Sequence, residues 1–280
     1  MNNLVLNRVF SKNVILDCIS QKENDCYITA VNKYSPKTKS CTNKAAVHSV
    51  YRYIEKLYRN EYYYKNTLLN KLILEKHDIK STVALTELPI ANSIADFVML
   101  NGKIVVYEIK TELDKLSRLA TQINDYYKFS PNVCIVTCEE HYEKVCALLD
   151  NKKTGIYVIR QDGSIDVRRE PIEDMSQLDI EVIFKVLRKK EFEQILMSAY
   201  KQLPSTRQFD YYKTSLKWMK KLDIDYIYKE TLSLLKKRPK IIEGDFKSVP
   251  YELKFFAYTA QLNSLQYVQL ANFLSNNVGG

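Results

Sequence analysis

The amino-acid sequence predicts an α/β protein, a mixed β-sheet flanked by helices and followed by a helical C-terminal region. Three observations predict it. Three short apolar runs rich in Val, Ile and Phe succeed one another between Val83 and Ile109, and Asn101-Gly102 separates the last two; both residues of that pair tolerate the positive φ of a tight hairpin turn. Stretches with apolar residues every three or four positions lie on either side of that block, the pattern of helices that bury one face. Beyond Pro171 the periodicity is helical throughout, punctuated by Pro204, Pro239 and Pro250.

Taken in order, residues 9–19 read as a short helix, and Tyr34-Ser35-Pro36-Lys37 with 40–43 as a loop. From 45 to 76 the spacing of Val50, Tyr53, Ile54 and Leu57, then Leu68, Leu69, Leu72 and Ile73, is helical; His77-Asp78 ends it. Strands follow at 83–88, closed by Pro89, at 94–100 and at 104–109. A long helix spans 113–129, a buried strand 132–138, a short helix 142–149 and another strand 155–160. The order is α-β-β-β-α-β-α-β. After it come helices at 180–200, 211–221, 224–237 and 251–274. This divides the chain into an N-terminal extension (1–44), an α/β core (45–175) and a basic helical region (176–280).

The composition narrows the function classes. No apolar run approaches the roughly 18 residues of a membrane span, and the N-terminus lacks the signature of a signal peptide. The six cysteines include no C-x-x-C pair, so they read as reduced thiols of a cytoplasmic protein rather than zinc ligands or disulfides. The three histidines stand far apart without a partner motif. The net charge is +9, and residues 181–280 hold 17 Lys and Arg against 10 Asp and Glu. That surplus fits a polyanionic partner such as nucleic acid; solvated Lys-rich helix faces would give the same count.

The chemistry concentrates in the second and third strands. Asp96 stands in an apolar run, and Glu108-Ile109-Lys110 closes the next one. Burying two carboxylates and an ammonium among Val, Ile and Phe is costly unless they pair or bind a cation. A divalent metal compensates, and Mg²⁺ prefers a few carboxylates with waters and phosphate oxygens. Asp96 and Glu108 would hold it, with the backbone carbonyl of Ile109 as a further ligand. Lys110 shares a strand face with Glu108 and would orient or deprotonate an attacking water or stabilise charge on a phosphate. A strict two-residue Asn-Gly turn would set Asp96 opposite Tyr107 and separate the two acids. A one-residue offset, from a three-residue loop or a bulge, is therefore expected. In the following helix Asp114, Arg118, Gln122 and Tyr126 recur every four residues as one polar stripe.

Together, Ala95-Asp96, Glu108-Ile109-Lys110, Asp114-x-Leu116-x-Arg118-Leu119 and Gln122-x-x-x-Tyr126 resemble the PD-(D/E)XK phosphodiesterase superfamily over roughly residues 50–160. The resemblance is nearest to RecB-like nucleases and to small bacterial proteins with a D…EIK…D-x-L-x-R-L-x-x-Q pattern. It implies a restriction-endonuclease-like αβββαβ core, Mg²⁺ or Mn²⁺ bound by Asp96 and Glu108, catalysis by Lys110, and positioning of site or substrate by Gln122, Tyr126 and Arg118. Many members carry another acid on the preceding helix; Glu61 matches that place, and Glu87 in the first strand is the alternative. Ala95 replaces the proline of the superfamily's name.

Three basic clusters mark the C-terminal helices: Lys185, Arg188, Lys189 and Lys190; Lys213, Lys217, Lys220 and Lys221 beside Tyr211, Tyr212 and Trp218; and Lys236, Lys237, Arg238 and Lys240. The second has the mixture of cations and aromatics that suits phosphate contact with base stacking, although aromatics in a core with lysines in solvent would look the same. The resulting expectation is a metal-dependent nuclease acting on DNA, in DNA processing or anti-phage defence, with a homodimer as a natural arrangement for two-strand cleavage. The alternatives are an RNA-directed nuclease, a nucleic-acid-binding module that does not cut, and an adaptor acting through its helical tail.

Overall fold

The computed structural model describes residues 3–35, 41–75, 82–149, 152–238 and 242–279. The expected loop at 36–40, the helix end at His77-Asp78, Pro239 and Lys240 lie outside them. The chain opens with helices α1 (Leu4–Arg8), α2 (Lys12–Ile19), α3 (Asp25–Tyr34), α4 (Asn43–Leu57) and α5 (Glu61–Leu68), the last running into a π-helical turn, Leu69–Leu74. The single helix expected at 45–76 is thus broken at 58–60. Asn60 breaks it, because its side chain accepts a hydrogen bond from the Tyr63 N–H and so caps a new helix.

Strands β1 (Val83–Ile90), β2 (Ser93–Asn101), β3 (Lys103–Lys110), β4 (Asn132–Thr137), β5 (Gly155–Ile159) and β6 (Ile165–Arg169) form one six-stranded sheet in sequence order. The β1–β2, β2–β3 and β5–β6 pairs are antiparallel, whereas β3–β4 and β4–β5 are parallel. Helix α6 (Leu119–Tyr127) makes the first parallel crossover and α7 (Glu139–Leu148) the second. The expected mixed sheet flanked by helices is what forms, with β6 as an additional strand. Pro89 does not end β1. The strand continues to Ile90, with Pro89 opposite Ile94, which an edge strand permits because its outer side needs no N–H donor.

The β2–β3 hairpin has the expected offset. Asn101 lies opposite Lys103 around Gly102, and Phe97 opposite Tyr107. Gly102 has φ +67°, a conformation that glycine adopts without penalty. Extending that register puts Asp96 across from Glu108.

The long helix expected at 113–129 begins only at Leu119. Asp114 accounts for the delay: its Oδ2 accepts from the Thr111 N–H at 2.9 Å and the Thr111 hydroxyl at 2.8 Å. Such a side-chain-closed turn competes with helix formation.

Helices α8 (Ile180–Val186), α9 (Lys189–Tyr200), α10 (Gln208–Met219), α11 (Ile224–Leu235), α12 (Glu243–Ser248), α13 (Lys254–Ala260) and α14 (Ser264–Ser275) complete the chain. They go to opposite faces of the sheet. One core joins Phe97, Tyr107, Ile109 and Val136 with α1–α5 and α12–α14. The other joins Val98, Leu100, Val106 and Ile135 with α6 and α8–α11. The first core therefore crosses the segment boundaries expected at 44 and at 175, and the second crosses that at 175. Among the described residues no helix is long and apolar enough to cross a membrane.

Candidate metal and active site

β1 and β2 share a defect at one register position. Side chains on a regular strand alternate between faces, yet Leu85 and Leu88, three apart, pack in the same core, as do Ala95 and Val98. Alternation breaks in both strands at Glu87 and Asp96, the one register position at which the ladder is interrupted. Glu87 carries φ +52°, which costs a residue with a Cβ on the order of 1 kcal/mol. Strained backbone of this kind gathers at functional sites. Beyond Phe97–Tyr107 the β2–β3 ladder also stops. The Asp96 carboxylate takes over, its Oδ2 accepting from the Ile109 N–H at 2.7 Å. The structure thus brings the Ile109 amide to Asp96, where the sequence pointed to the Ile109 carbonyl as a metal ligand.

Two groups of polar side chains meet at this fork. From one face, α5 contributes Glu61 and Lys65. Carboxylate oxygens of Glu61, Glu87 and Asp96 lie within 4.8 Å of one another, and the Lys65 ammonium pairs with both glutamates. From the other face, α6 contributes Gln122 and Tyr126, which hold Glu108. Glu108 is 1% exposed. Its Oε1 accepts from Lys110 Nζ at 2.6 Å and from Gln122 Nε2, and its Oε2 accepts from the Tyr126 hydroxyl at 2.6 Å. The Tyr126 hydroxyl also lies 2.8 Å from the Ile94 carbonyl oxygen. Gln122 Oε1 is a buried acceptor without a partner among the described residues, so it is left to accept a hydrogen bond from a water or substrate group.

Burial, and then repulsion from Glu108, push the Asp96 carboxyl up to about 8, against the weaker pull of the Ile109 N–H and Lys65. Burial raises Glu108 as well, opposed by Lys110. Burial works against the Lys65 ammonium, yet Glu61 and Glu87 overcome it and raise its pKa. The site therefore demands positive charge and satisfies the demand with lysines.

The acids that converge are not quite the set read from the sequence. Asp96 is gathered with both Glu61 and Glu87, while Glu108 is not part of that group and its oxygens are taken by Lys110, Gln122 and Tyr126. Gln122 and Tyr126 are where the stripe put them. Arg118 is not: it stands exposed at the N-cap of α6, and its guanidinium makes no hydrogen bond or ion pair among the described residues. Lys65 went unread. Its signal was a charged residue on the same helical face as Leu68, Leu69 and Leu72. A second group, Glu112, Cys138 and Glu140, also gathers potential ligands. Arg59 already pairs with Glu112, and burial pushes the Cys138 thiol up to about 11, so that set is poorly suited to a cation.

Three oxygen donors of hard character fit Mg²⁺ or Mn²⁺, and the Lys65 ammonium already marks where a cation is stabilised. At the C-terminal helices, Tyr211 and Trp218 are half-buried against neighbours: the Tyr211 hydroxyl donates to Glu193, and Trp218 packs edge-on to Tyr200. Lys220 pairs with Glu181. Lys213, Lys217 and Lys221 are exposed without an ion pair among the described residues. Phe209, four residues before Lys213, is 96% exposed and was not singled out from the sequence.

The family model described as "Bacteriophage P4 protein cII" matches residues 55–248, a span that contains the whole fork. Among solved structures the chain is similar to a protein of unknown function from Silicibacter pomeroyi, with 13% identity, 46% of this chain and 86% of that one covered, and a TM-score of 0.29. No curated protein matches.

Proposed function

We propose that this chain, which belongs to the bacteriophage P4 protein cII family, is a metal-dependent nuclease of the PD-(D/E)XK type that hydrolyses phosphodiester bonds, with DNA as its favoured substrate. One observation carries the reading: the carboxylates of Glu61, Glu87 and Asp96 converge where β2 and β3 part, and Glu108, near enough to Asp96 to repel it, pairs with Lys110. A phage-associated family fits a role in DNA processing or anti-phage defence.

Glu61, Glu87 and Asp96 would hold the ion. Bound there, Mg²⁺ or Mn²⁺ would supply Lewis acidity to a phosphate oxygen and lower the pKa of a bound water. Lys110, fixed by Glu108, donates to the phosphate oxygen that gains charge as the water adds. Glu108 holds that lysine in place and is itself kept rigid by Gln122 and Tyr126, so the geometry exists before substrate arrives. The open acceptor on Gln122 orients the incoming water. Lys65 neutralises the acids when no ion is bound and is free to turn to a phosphate when one is.

The test is cleavage of supercoiled plasmid and of single-stranded DNA with Mg²⁺ or Mn²⁺, comparing wild type with Asp96→Ala and Lys110→Ala. The expected result is cutting that depends on metal and falls at least about 10²-fold in each variant. No cutting by wild type, together with no metal binding, would overturn the proposal. Metal binding without DNA cleavage would direct the search to RNA.

A further inference from the structure

β1 is an edge strand, and half of its edge is covered. The Ala84 N–H donates to the Tyr258 hydroxyl of α13 at 2.7 Å. Past that contact the edge opens into a cavity of about 390 Å³, within the size range of small-molecule and nucleotide sites. Glu87 lies on its strand wall, Thr259 and Gln261 close one end, and Arg188 and Arg238 come from the C-terminal helices. Because Glu87 belongs to both, the cavity adjoins the acid cluster.

The two arginines differ in what they have left to offer. Arg238 donates to both oxygens of Glu191, at 2.7 and 2.6 Å, and to the Val186 carbonyl at 2.9 Å. Arg188 is exposed, and its guanidinium has no ion pair among the described residues. A planar cation with free donors, in a polar cavity beside a metal-binding cluster, matches an anionic oxygen group. The group must be anionic enough to answer Arg188 and narrow enough to enter. A single strand's phosphodiester meets both conditions in a cavity of this volume.

We infer that this cavity is a phosphodiester subsite for one nucleic-acid strand, with Arg188 binding the phosphate next to the scissile one. The assignment rests on the nuclease reading and deepens it: the C-terminal helices supply part of the substrate site, and the substrate is presented as a single strand. Arg188 is a positioning residue. It touches a phosphate that does not react.

Fluorescence anisotropy of a labelled single-stranded oligonucleotide, with Ca²⁺ in place of Mg²⁺ to prevent cutting, tests it. Wild type, Arg188→Ala and Arg188→Lys are compared on that strand and on a duplex, with Mn²⁺ affinity measured in parallel by calorimetry. Arg188→Ala is expected to weaken single-strand binding about tenfold and to lower the salt slope by about 0.7. Arg188→Lys should recover part of the loss, duplex binding should be weaker than single-strand binding, and Mn²⁺ affinity should not move. Equal oligonucleotide affinity in wild type and Arg188→Ala would overturn the subsite while leaving the nuclease reading intact, and a wild type that binds Mn²⁺ but neither oligonucleotide would overturn the subsite and DNA as the substrate. A duplex held as tightly as a single strand would overturn the strand assignment. Neither metal nor oligonucleotide binding by wild type would remove both readings together.

Discussion

Replacing Lys65 by Met separates a metal-binding cluster from an ordinary ion-pair network. The Lys65 side chain is 8% exposed, whereas Glu61 and Glu87 are 57% and 59% exposed. Breaking a fully buried pair costs about 3–5 kcal/mol, and an exposed pair is worth about 0–1 kcal/mol. With the cation buried and the acids mostly in water, the loss falls between these, about 1–2 kcal/mol. Methionine fills most of the lysine stem's volume, so no large cavity adds to it. At about 2–4 °C per kcal/mol for a chain near this size, the metal-free variant should melt about 2–8 °C below wild type. Divalent metal should reverse the deficit, because the variant keeps all three acids and lacks the competing ammonium. A cation at a hundred times its Kd contributes about 2.7 kcal/mol, enough to bring the variant level with wild type. The assay is thermal melting in EDTA and across an Mg²⁺ or Mn²⁺ titration. The variant should show the lower midpoint without metal and the tighter apparent Kd with it. A deficit that metal leaves unchanged would refute the reasoning, because it would mean that the acids answer the loss of Lys65 by taking up protons and not by binding a cation.

The pH dependence has a definite sign. Asp96 is raised from 3.8 to about 8, so its protonated form stabilises the metal-free protein at low pH, and that contribution fades as pH rises between those values. Melting points in EDTA from pH 4.5 to 8 should therefore fall more steeply for wild type than for Asp96→Asn, while Mn²⁺ affinity of wild type should rise over the same range; equal slopes would remove Asp96 from the account. Tyr126→Phe leaves Glu108 Oε2 buried without its donor, which should lower stability by about 1–3 kcal/mol and cleavage by about 10–100-fold, read from urea unfolding and initial rates; unchanged rates would make Tyr126 purely structural. Glutamate at Lys213 and Lys217 of α10 and at Lys221 in the turn after it, all exposed, should together weaken oligonucleotide binding and reduce the salt slope by about 2. An unaltered slope would assign that stripe to solvent.

The sheet and half of the site were legible because their signals are local. Alternating apolar residues marked β2 and β3, Asn101-Gly102 marked the turn, and the need to bring Asp96 and Glu108 to one face dictated the offset. Gln122 and Tyr126, one helical turn apart, were bound to share a face once any helix formed around them. The start of that helix was less legible. Asp114 and Leu113 fit a helical period, and only the Asp114–Thr111 hydrogen bonds stop the helix from including them.

What the sequence by itself determined was the stock of charged residues, carboxylates and a lysine placed in otherwise apolar strands. Tertiary structure alone decided which carboxylates meet. Glu61 reaches Glu87 and Asp96 because α5 packs across the sheet and both strands break alternation at one register position, turning side chains from a regular ladder into a common pocket. That break is held by long-range packing against a strained φ at Glu87, and no local pattern encodes it. The same holds for Arg188, which comes to the open edge of β1 only because α8–α11 fold back onto the far face of the sheet.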